Sequence, residues 1–488
     1  MNVYSPEEFK EIDAFTLRKN NLDAWELMER AAVECVLDLL RDFTVPQRTV
    51  VWVGPGNNGG DGLAIARLLR NLRWPVQVVA PGNLGSSEAV IRNHTLWSPE
   101  EIHLLDPWLE QDDASPQLMI DALFGVGFNR NLEGEFVRAV EQINRFSGPV
   151  YSVDVPTGLP LEARLMPSTD RVVRATKTWT FQFPKTLFFV PGNVDFLGKL
   201  QILDVGLDEG CMPPTTSRPQ FITPEEVQPF RVGRAASAHK GTAGTLLALA
   251  GQSSMLGAGA WLCRGAHRAG VGRVWWSLSE DNHPQGALLS PESTMVSSRD
   301  DVWTSAEVDA VAVGPGWGTG ESSEQTLKRV LQEVQVPLVL DADATTILAE
   351  NPTWLAFLPH QTVITPHLKE FHRMIQRETQ PDERLTVLAE SAQKWNCVIV
   401  LKGPFTAIAT PQNQLFFNAS GNPALATAGT GDVLSGMIGA YLAQGMPLVH
   451  AVLYAVSMHG ASADWWVENY AQAAFGPKGI IDFLEYIR

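Results

Sequence analysis

The chain has 488 residues, of which 45% are hydrophobic and 19% are charged, and this is the composition of an ordinary globular protein. A single hydrophobic core rarely grows to this size, so the length predicts two sizeable domains. The formal net charge of −17 argues against a general nucleic-acid or anionic-membrane surface, because both need basic patches. It leaves room for a small anionic ligand, which backbone amides and a few cations can hold.

The cysteines and the first residues indicate a cytoplasmic protein. Four cysteines are scattered along the chain without a C-x-x-C pair, which argues against a disulfide framework and against a thiolate metal site. The first residues, MNVYSPEEFKEIDAF, are polar and acidic, unlike a secretory signal peptide.

The first half of the chain alternates helical stretches with β-branched runs. The stretch AWELMERAAVECVLDLL has apolar residues at helical spacing. The strands RTVVWVG, VQVVA, QLMIDA and PVYSVDV follow in order, each with a helical stretch before the next strand, and TKTWTFQF and GKLQILDVG come last. Strands that alternate with helices predict a parallel sheet with crossover helices.

A segment rich in Pro, Thr and Ser separates this half from a second alternating half. Residues 211–234 have little periodicity, which is typical of a connection. We therefore expect an N-terminal domain at 1–212, a linker at 213–230 and a C-terminal domain at 231–488. The second half contains the strands GTLLALAG, RVWWSL, VDAVAVGPG, PLVLDADA, QTVITPH and CVIVLKG, and it ends in two helices that Pro447 separates.

Three loops of the first half carry polar residues directly after predicted strands. GPGNNGGDG follows the first strand, Asp121 and the loop GVGFNRN follow another, and Asp154 precedes the turn PTG. Ligands of open α/β sheets bind at the carboxyl ends of the strands, where glycine amides and helix N-termini attract anions. Each loop alone could be a simple turn or helix cap, but three together favour a ligand site.

The Gly-rich loop also matches the dinucleotide fingerprint G-x-G-x-x-G at residues 54–59. That fingerprint needs an acidic residue after the second strand to bind ribose, and here that strand ends in Pro81-Gly82-Asn83. A plain dehydrogenase is therefore the alternative interpretation. Asn58, Asp121 and Thr157 offer hard oxygen ligands for a cation such as K⁺ or Mg²⁺, and composition does not choose between the two.

In the second half, Asp432 is the only Asp, Glu, Lys or Arg between Lys402 and Asp464. It follows Gly429-Thr430-Gly431, a segment that can direct backbone amides of the next helix towards an anion. Asp432 could accept a proton from an attacking hydroxyl, as a catalytic carboxylate does in phosphoryl transfer. It could equally cap the helix VLSGMIGAYLA, and the two roles are compatible.

Other polar residues of the second half also follow predicted strands. Lys402 and Gly403 follow CVIVL, His367 follows QTVI, the loop GPGWG follows VDAVAV, and Asp341 and Asp343 lie at the end of PLVL. The i, i+5 spacing of the two histidines in HLKEFH splays them apart on a helix, so a metal site there is not favoured. The sequence contains no G-x-x-x-x-G-K-[ST] phosphate loop.

Taken in order, these motifs resemble the family of bifunctional NAD(P)H-hydrate repair enzymes, over nearly the whole chain. The N-terminal half is similar to the YjeF-type epimerase in LMERA, GPGNNGGDGLAIAR, DALFGVG, VDVPTGL and TFQFPK. The C-terminal half is similar to the dehydratase in HKGTAGTLLALAGQSSMLGAGA, VGPGWG, DADA, TPHLKE, LKG and GNPALATAGTGDVLSGM. The resemblance implies two tandem three-layer α/β domains, the first Rossmann-like and the second ribokinase-like.

The resemblance also implies the reactions. The substrate would be NADH or NADPH that has gained water across a double bond of the nicotinamide ring. The first domain would interconvert the R and S epimers, with K⁺ bound. The second domain would dehydrate the S form at the expense of ADP or ATP with Mg²⁺, by converting the hydroxyl into a phosphate leaving group. Large enzymes of this kind often assemble, so we expect a homo-oligomer, and no nucleic-acid or membrane partner.

Residue by residue, the resemblance places both active sites. The epimerase substrate would contact Asn57, Asn58, Gly59, Gly60, Asp61, Gly125, Val126, Gly127, Phe128, Asn129, Arg130, Asn131 and Asp154. Asp154 would be the acid/base of epimerisation, and Asn58, Asp121 and Thr157 would bind potassium. The dehydratase substrate would contact Ala258, Gly314, Gly316, His367 and Asp432, the last as catalytic base. The adenine nucleotide would contact Lys402, Gly403, Pro404, Phe405, Thr406 and Gly431.

The chain departs from the family pattern at Phe128 and Asn129, where Gly-Leu-like residues are expected, and at GQSS, where Gly-Ser usually follows the strand directly. Neither change removes a proposed ligand. Two alternatives stay open: a dehydrogenase fused to a sugar or vitamin kinase, and a non-enzymatic dinucleotide sensor.

Overall fold

A computed structural model divides the chain into two compact units, Asn2–Thr215 and Met1 with Thr216–Arg488. The residues that it describes are 1–83, 85, 87–97, 101–106, 115–128, 130–160, 171–190, 192–215, 217–234, 236–237, 239–252, 254–298 and 301–486.

The N-terminal unit consists of a sheet and the helices that cover it. Its helices are α1 (Pro6–Asn20), α2 (Ala24–Asp42), α3 (Asn57–Asn71), α4 (Glu88–Trp97), α5 (Glu135–Arg145) and α6 (Val194–Leu197). Its strands are β1 (Thr49–Val53), β2 (Val76–Ala80), β3 (Ile102–Leu104), β4 (Leu118–Ala122), β5 (Val150–Val153), β6 (Lys177–Phe181) and β7 (Lys199–Leu203).

This sheet has the order β3-β2-β1-β4-β5-β6-β7, and all of its pairings are parallel. Strands β1, β4, β5 and β6 are buried throughout, as expected where helices cover both faces. From β1 the chain adds strands towards one edge of the sheet, and from β4 it adds them towards the other. The neighbouring strands β1 and β4 end side by side, at Val53 and Ala122. A crevice at such a switch point is where open α/β sheets bind their ligands.

The C-terminal unit repeats this design with a larger sheet. Its helices are α7 (Pro224–Val227), α8 (Leu256–Arg268), α9 (His283–Leu289), α10 (Glu321–Glu333), α11 (Asp343–Glu350), α12 (Leu368–Met374), α13 (Arg384–Trp395), α14 (Thr430–Ala443), α15 (Leu448–Asn469) and α16 (Pro477–Tyr486). Its strands are β8 (Gln220–Ile222), β9 (Thr245–Leu249), β10 (Arg273–Leu278), β11 (Thr294–Ser297), β12 (Ala310–Val313), β13 (Leu338–Leu340), β14 (Thr362–Ile364), β15 (Val398–Leu401), β16 (Ala407–Ala409) and β17 (Leu415–Asn418).

The larger sheet has the order β11-β10-β9-β12-β13-β14-β15-β16-β17-β8. It is parallel from β11 to β15, and β16 and β17 then add an antiparallel hairpin. The apolar helices α14 and α15 pack into its core. The expected fold class of two tandem α/β domains is confirmed. None of the described helices combines the length and the apolar character that crossing a membrane requires.

The structure differs from the sequence prediction in the segment proposed as a linker. Residues 213–230 contain β8 and α7, and β8 pairs in parallel with β17 as the last strand of the C-terminal sheet. Of these residues, those from 216 onward belong to the C-terminal unit, and 213–215 belong to the N-terminal unit. A strand of three residues is too short to show an alternating pattern, which is why the sequence did not reveal it.

Candidate active sites

The turn between β1 and α3 is built by close backbone approach. A Cβ atom on Gly54 would lie 1.7 Å from the Leu123 carbonyl oxygen, and one on Gly59 would lie 1.9 Å from the Gly54 carbonyl oxygen. Helix α3 begins at Asn57, within the Gly-rich stretch that follows β1. Its N-cap, Gly56, has no side chain to satisfy the first N–H groups, so these amides remain available to an anion.

A buried carboxylate joins the ends of β4 and β5. Asp121 accepts hydrogen bonds from the Thr157 N–H at 2.9 Å, the Thr157 hydroxyl at 2.7 Å and the Ser152 hydroxyl at 2.9 Å. A longer bond comes from the Leu123 N–H at 3.3 Å. Burial raises the pKa of Asp121, and these hydrogen bonds oppose the rise. The structure thus brings Asp121 and Thr157 together, and each provides hydrogen-bond partners for the other.

Asn58 is the unsatisfied member of this group. Its residue is 7% exposed, and neither its amide oxygen nor its amide nitrogen has a hydrogen-bond partner among the described residues. A Cβ atom on Gly125 would lie 3.4 Å from Asn58 Oδ1 and 2.6 Å from Asp154 Oδ2. Because a buried polar group without a partner is costly, Asn58 is a strong candidate for contact with a ligand.

Asp154 directly follows β5 and has a positive φ of 68°, which is uncommon for a residue other than glycine. One carboxylate oxygen accepts the Val126 N–H at 2.7 Å. The other lies 2.9 Å from Nζ of Lys185, whose side chain is 0% exposed. Lys185 also donates to the Thr180 hydroxyl at 2.6 Å, so its ammonium is held at Asp154.

Asn58 and Asp154 line a cavity of about 500 Å³, a size suited to a small organic ligand. Helices α1 and α2, the β1–α3 turn, the loop after β4 and Asp154 all contribute to its walls. Two further carboxyl groups face it. Burial and the negative charge of Asp154 raise the pKa of Asp13 to about 6, against the opposing effect of Lys185. Burial, Asp154 and Asp13 raise the pKa of Asp61 well above its usual range.

The predicted epimerase residues divide into those that line the cavity and those that pack beneath it. The cavity-lining residues are Asn57, Asn58, Asp61, Gly125, Val126, Gly127, Phe128 and Asp154. Gly59 and Gly60 are buried, and a Cβ atom on Gly60 would lie 2.9 Å from Met28 Sδ, so their role here is packing.

The end of the loop after β4 contributes less to the described cavity. Arg130 and Asn131 are exposed and are not among its lining residues. Asn129 lies outside the described residues. Sequence reasoning missed Asp13 and Lys185 as site residues; Lys185 could have been found because it ends the motif TFQFPK.

In the C-terminal unit, Asp432 is the third residue of α14 rather than the residue before it. The N-cap is Gly429, with φ of 94°, and no side chain among the described residues caps this helix end. The capping alternative for Asp432 is therefore not what the structure shows. Burial, Asp341 and Asp343 raise the pKa of Asp432 to about 7, while Lys402 opposes the rise.

Lys402 brings a cation to the start of α14. Its Nζ donates to Asp341 Oδ1 at 2.6 Å and would lie 3.7 Å from a Cβ atom on Gly431. The other Asp341 oxygen accepts the Ser435 hydroxyl at 2.6 Å. Burial disfavours the charged form of Lys402, but the carboxylates of Asp341, Glu370 and Asp432 outweigh it, and its pKa is raised.

His367 and its neighbours form a capping box at the start of α12. The His367 Nδ1 atom accepts the Glu370 N–H at 3.1 Å, and Glu370 Oε2 accepts the His367 N–H at 2.8 Å. A neutral ring whose Nδ1 accepts carries its proton on Nε2, and the side chain is 50% exposed. His372 pairs instead with the Thr379 hydroxyl at 2.9 Å. No metal site of three His, Cys, Asp or Glu side chains occurs in the described ranges.

The glycines of GPGWG hold two loops together. Gly314 has φ of 128°, and a Cβ atom there would lie 1.8 Å from the Asp341 carbonyl oxygen; one on Gly316 would lie 3.0 Å from Ala258 Cβ. The Gly316 carbonyl accepts the Gln252 N–H at 2.7 Å. The structure thus places Gly314, Gly316 and Ala258 together at one edge of the sheet.

The predicted nucleotide residues form the turn between β15 and β16. Gly403 and Pro404 are exposed, Phe405 has a positive φ of 48°, and the Thr406 hydroxyl donates to the Gly403 carbonyl at 3.1 Å. The turn therefore starts from Lys402 and leaves exposed backbone beside it.

His459 is a residue that sequence reasoning missed entirely. It is buried on α15, its Nε2 lies 2.9 Å from the Thr430 carbonyl oxygen, and burial lowers its pKa to about 4. A neutral His459 that donates to Thr430 fixes the start of α14. No signal in the sequence singles out this histidine.

Two family models match the chain. Residues 246–485 match the model described as NAD(P)H-hydrate dehydratase, and residues 24–187 match the model described as YjeF-related protein N-terminus. The bifunctional NAD(P)H-hydrate repair enzyme Nnr of Moorella thermoacetica is 30% identical, over 100% of this chain and 96% of that protein. The protein of the same name from Escherichia coli K12 is 31% identical, over 94% of this chain and 88% of that protein.

Among solved structures, the ADP/ATP-dependent NAD(P)H-hydrate dehydratase of Bacillus subtilis, co-crystallised with ATP and Mg²⁺, is 35% identical. It covers 55% of this chain and 96% of its own, with a TM-score of 0.49.

Two tandem α/β domains, each with buried carboxyl groups beside an uncapped helix N-terminus at the edge of its sheet, define a two-domain α/β enzyme. The two relatives that match along nearly the whole chain, at 30% and 31% identity, show which family of enzymes this is. The chain belongs to the family of bifunctional NAD(P)H-hydrate repair enzymes.

Proposed function

We propose that this chain repairs hydrated NADH and NADPH. The N-terminal domain interconverts the R and S hydrates, and the C-terminal domain dehydrates the S hydrate at the expense of ADP or ATP. The observation that carries the proposal is Asp432, whose pKa is raised to about 7 and which lies in the uncapped first turn of α14. This arrangement suits a base that must activate a hydroxyl next to a phosphoryl group.

Dehydration needs this arrangement because hydroxide is a poor leaving group. Asp432 takes the proton of the substrate hydroxyl as its oxygen attacks the terminal phosphorus of the nucleotide. The uncapped N–H groups of α14 and the Lys402 ammonium stabilise the negative charge that develops on the phosphoryl oxygens. Phosphate then leaves from the carbon, and the neighbouring ring carbon loses a proton to solvent as the ring double bond re-forms. Asp341 accepts hydrogen bonds from both Lys402 and Ser435 of α14, and so fixes the ammonium relative to this helix.

The remaining dehydratase residues supply binding. Ala258, Gly314, Gly316 and His367 contact the hydrate, His367 through its Nε2–H. The nucleotide lies along the turn of residues 402–406 and against Gly431. Mg²⁺ accompanies the nucleotide and neutralises phosphate charge, and such ions keep several waters and need few protein ligands.

In the N-terminal domain, Asp154 acts as acid/base and the residues that line the cavity bind the dinucleotide. The uncapped start of α3 suits its phosphates. K⁺ fits the amide oxygen of Asn58, which is buried without a partner among the described residues, together with Thr157 and Asp121. Because Asp121 already accepts several hydrogen bonds, its main contribution is to orient Thr157. The ion would fix the loop geometry around the substrate.

Two further expectations accompany the proposal. We expect a cytoplasmic homo-oligomer that acts on small molecules and binds neither nucleic acid nor membrane. Size-exclusion chromatography with light scattering measures the assembly.

The decisive experiment measures recovery of reduced-nicotinamide absorbance from a mixture of R and S hydrated NADH. The full chain is supplied with ADP, with ATP or with neither, in the presence of K⁺ and Mg²⁺. Recovery of both epimers, dependent on nucleotide, is expected, and the faster nucleotide identifies the preferred donor. Recovery of only the S fraction, beyond its slow spontaneous exchange, overturns the epimerase half. Absence of recovery overturns the repair function and favours a kinase or a sensor.

A further inference from the structure

The epimerase cavity receives a carboxyl group from α1, a helix that precedes residues 24–187 matched by the N-terminal family model. Asp13 on this helix lines the cavity together with Asp61 and Asp154. Its carboxyl group makes no hydrogen bond within the part of the chain that the structure describes, so it is available to a bound ligand.

Helix α1 is fixed to the catalytic region rather than lying loosely on it. The Tyr4 N–H donates to the Pro184 carbonyl at 3.1 Å, and the Thr186 N–H donates to the Tyr4 carbonyl at 2.9 Å. These bonds lie on both sides of Lys185 and form a short parallel bridge. One turn before Asp13, the Phe9 ring lies 4.1 Å from Lys185 Nζ. The position of Asp13 is therefore tied to the Asp154–Lys185 pair.

The charges of the cavity determine the protonation of Asp13. Among the described residues, the charges of Asp154 after β5 and Lys185 after β6 act on Asp13. Asp13 and Asp61 on α3 also interact, and Lys10 of its own helix lines the same cavity. Lys185 is already paired with Asp154 at 2.9 Å. Several carboxylates that share a buried site cannot all ionise at neutral pH. Burial and Asp154 accordingly raise the pKa of Asp13 to about 6, so that a proton is available there near neutrality.

The reaction calls for such a proton. Water adds to a reduced nicotinamide at the carbon bonded to the ring nitrogen, because the nitrogen lone pair stabilises the cation at that carbon. Inversion of this carbon requires the hydroxyl to leave from one face and water to return to the other. Departure needs an acid, since hydroxide leaves poorly, and return needs a base.

We propose that Asp13 is the proton donor of the epimerase and that Asp154 is its proton acceptor, an assignment that rests on the proposed function. Asp13 gives its proton to the hydroxyl, the carbon–oxygen bond breaks, water departs, and the nitrogen lone pair forms a carbon–nitrogen double bond. Water then attacks the opposite face, the double-bond electrons return to nitrogen, and Asp154 takes the proton that this water loses. Exchange with solvent returns a proton to Asp13 and removes the one on Asp154.

The test uses the full chain at fixed K⁺ concentration, with R-hydrated NADH as substrate and chromatographic separation of the two epimers between pH 5 and pH 9. In the unaltered chain, kcat/KM for epimerisation should fall as pH rises through about 6. D13N should lower kcat/KM about 100-fold and abolish this fall. D13E, which keeps an acid, should retain it. Glu11→Gln changes an exposed carboxylate of the same helix and should leave rate and profile unchanged.

Dehydration of the S hydrate, measured in the same preparations, should be unchanged in every variant. An unaltered chain that does not interconvert the epimers overturns the proposed function and this assignment with it. An active chain whose D13N variant keeps its rate and its alkaline fall overturns the assignment of Asp13 alone. The assignment of Asp13 is also overturned if Asp61→Asn, and not D13N, abolishes the alkaline fall. If D13N fails to fold, loss of the alkaline fall in folded D13E contradicts the proposal, and its retention with a reduced rate supports it.

Discussion

The two candidate sites use opposite solutions to the same problem of placing a carboxylate near a substrate. The N-terminal site places three aspartates around a cavity, and the fully buried Lys185 pairs with one of them, Asp154. The C-terminal site has a partly buried Asp432, a half-exposed His367 and an exposed turn at Gly403 and Pro404. The proposed reactions explain the difference. Epimerisation acts on one substrate and exchanges only protons and water, whereas dehydration must admit a nucleotide and release phosphate.

The largest effect should come from removing the base of the C-terminal site. Asp432→Asn should lower kcat/KM for dehydration of the S hydrate by about 10³-fold, because it removes general-base assistance. Nucleotide affinity, measured by calorimetry, and epimerisation should both persist. Glu390→Gln, which alters an exposed carboxylate of α13, serves as the control. An unchanged dehydration rate would leave Asp432 without a catalytic role.

The second effect should appear as loss of folding stability in the N-terminal domain. Lys185→Met leaves the Asp154 carboxylate buried without its cation, which typically costs about 3–5 kcal/mol. Denaturant unfolding should show this loss, and epimerisation should fall while dehydration continues. Lys19→Met breaks an exposed ion pair with Asp208 on the same unit and should cost less than about 1 kcal/mol. Equal losses for the two variants would contradict the central role of the buried pair.

The third prediction compares alanine substitutions at two glycines of the same turn. Gly54→Ala would place its Cβ atom 1.7 Å from a backbone oxygen, whereas Gly56→Ala meets nothing within 4 Å. The first substitution should destabilise the domain by about 3 kcal/mol and abolish epimerisation. The second should have little effect on the melting temperature. Similar melting temperatures would show that the turn is looser than this packing implies.

The smallest effect is a difference in pH dependence between the two activities. Asp432 must be ionised to act as a base, so dehydration should rise about tenfold as pH increases from 6 to 8, through its pKa of about 7. Epimerisation should fall over the same range if Asp13 is the acid. Lys402→Met should move the dehydration midpoint to higher pH, because the ammonium now lowers the pKa of Asp432. Parallel profiles for the two activities would contradict this contrast.

The sequence could predict the residues that directly follow strands, because strand ends and Gly-rich turns are local features. Asp154 directly follows β5, and Asp432 follows the Gly-rich turn at the start of α14. Their catalytic roles stay predictions.

Contacts between distant segments could not be predicted in this way. Lys402 and Asp341 follow β15 and β13, which are separated by β14, so their pairing depends on a strand order that one sequence does not reveal. Asp13 reaches its cavity only because the Tyr4 segment pairs with the Lys185 segment, and a lone acidic residue on an amphipathic helix carries no sign of this.

The position of β8 governs how the two domains can be separated for study. A fragment that began at residue 231, where the composition suggests the second domain starts, would lack β8 and leave β17 as the last strand. The backbone of β17, which carries the apolar residues Leu415, Phe416 and Phe417, would then be unpaired, and such edges promote aggregation. A soluble dehydratase fragment should therefore begin near residue 216, and insolubility of a shorter one would reflect the missing strand rather than dependence on the epimerase domain.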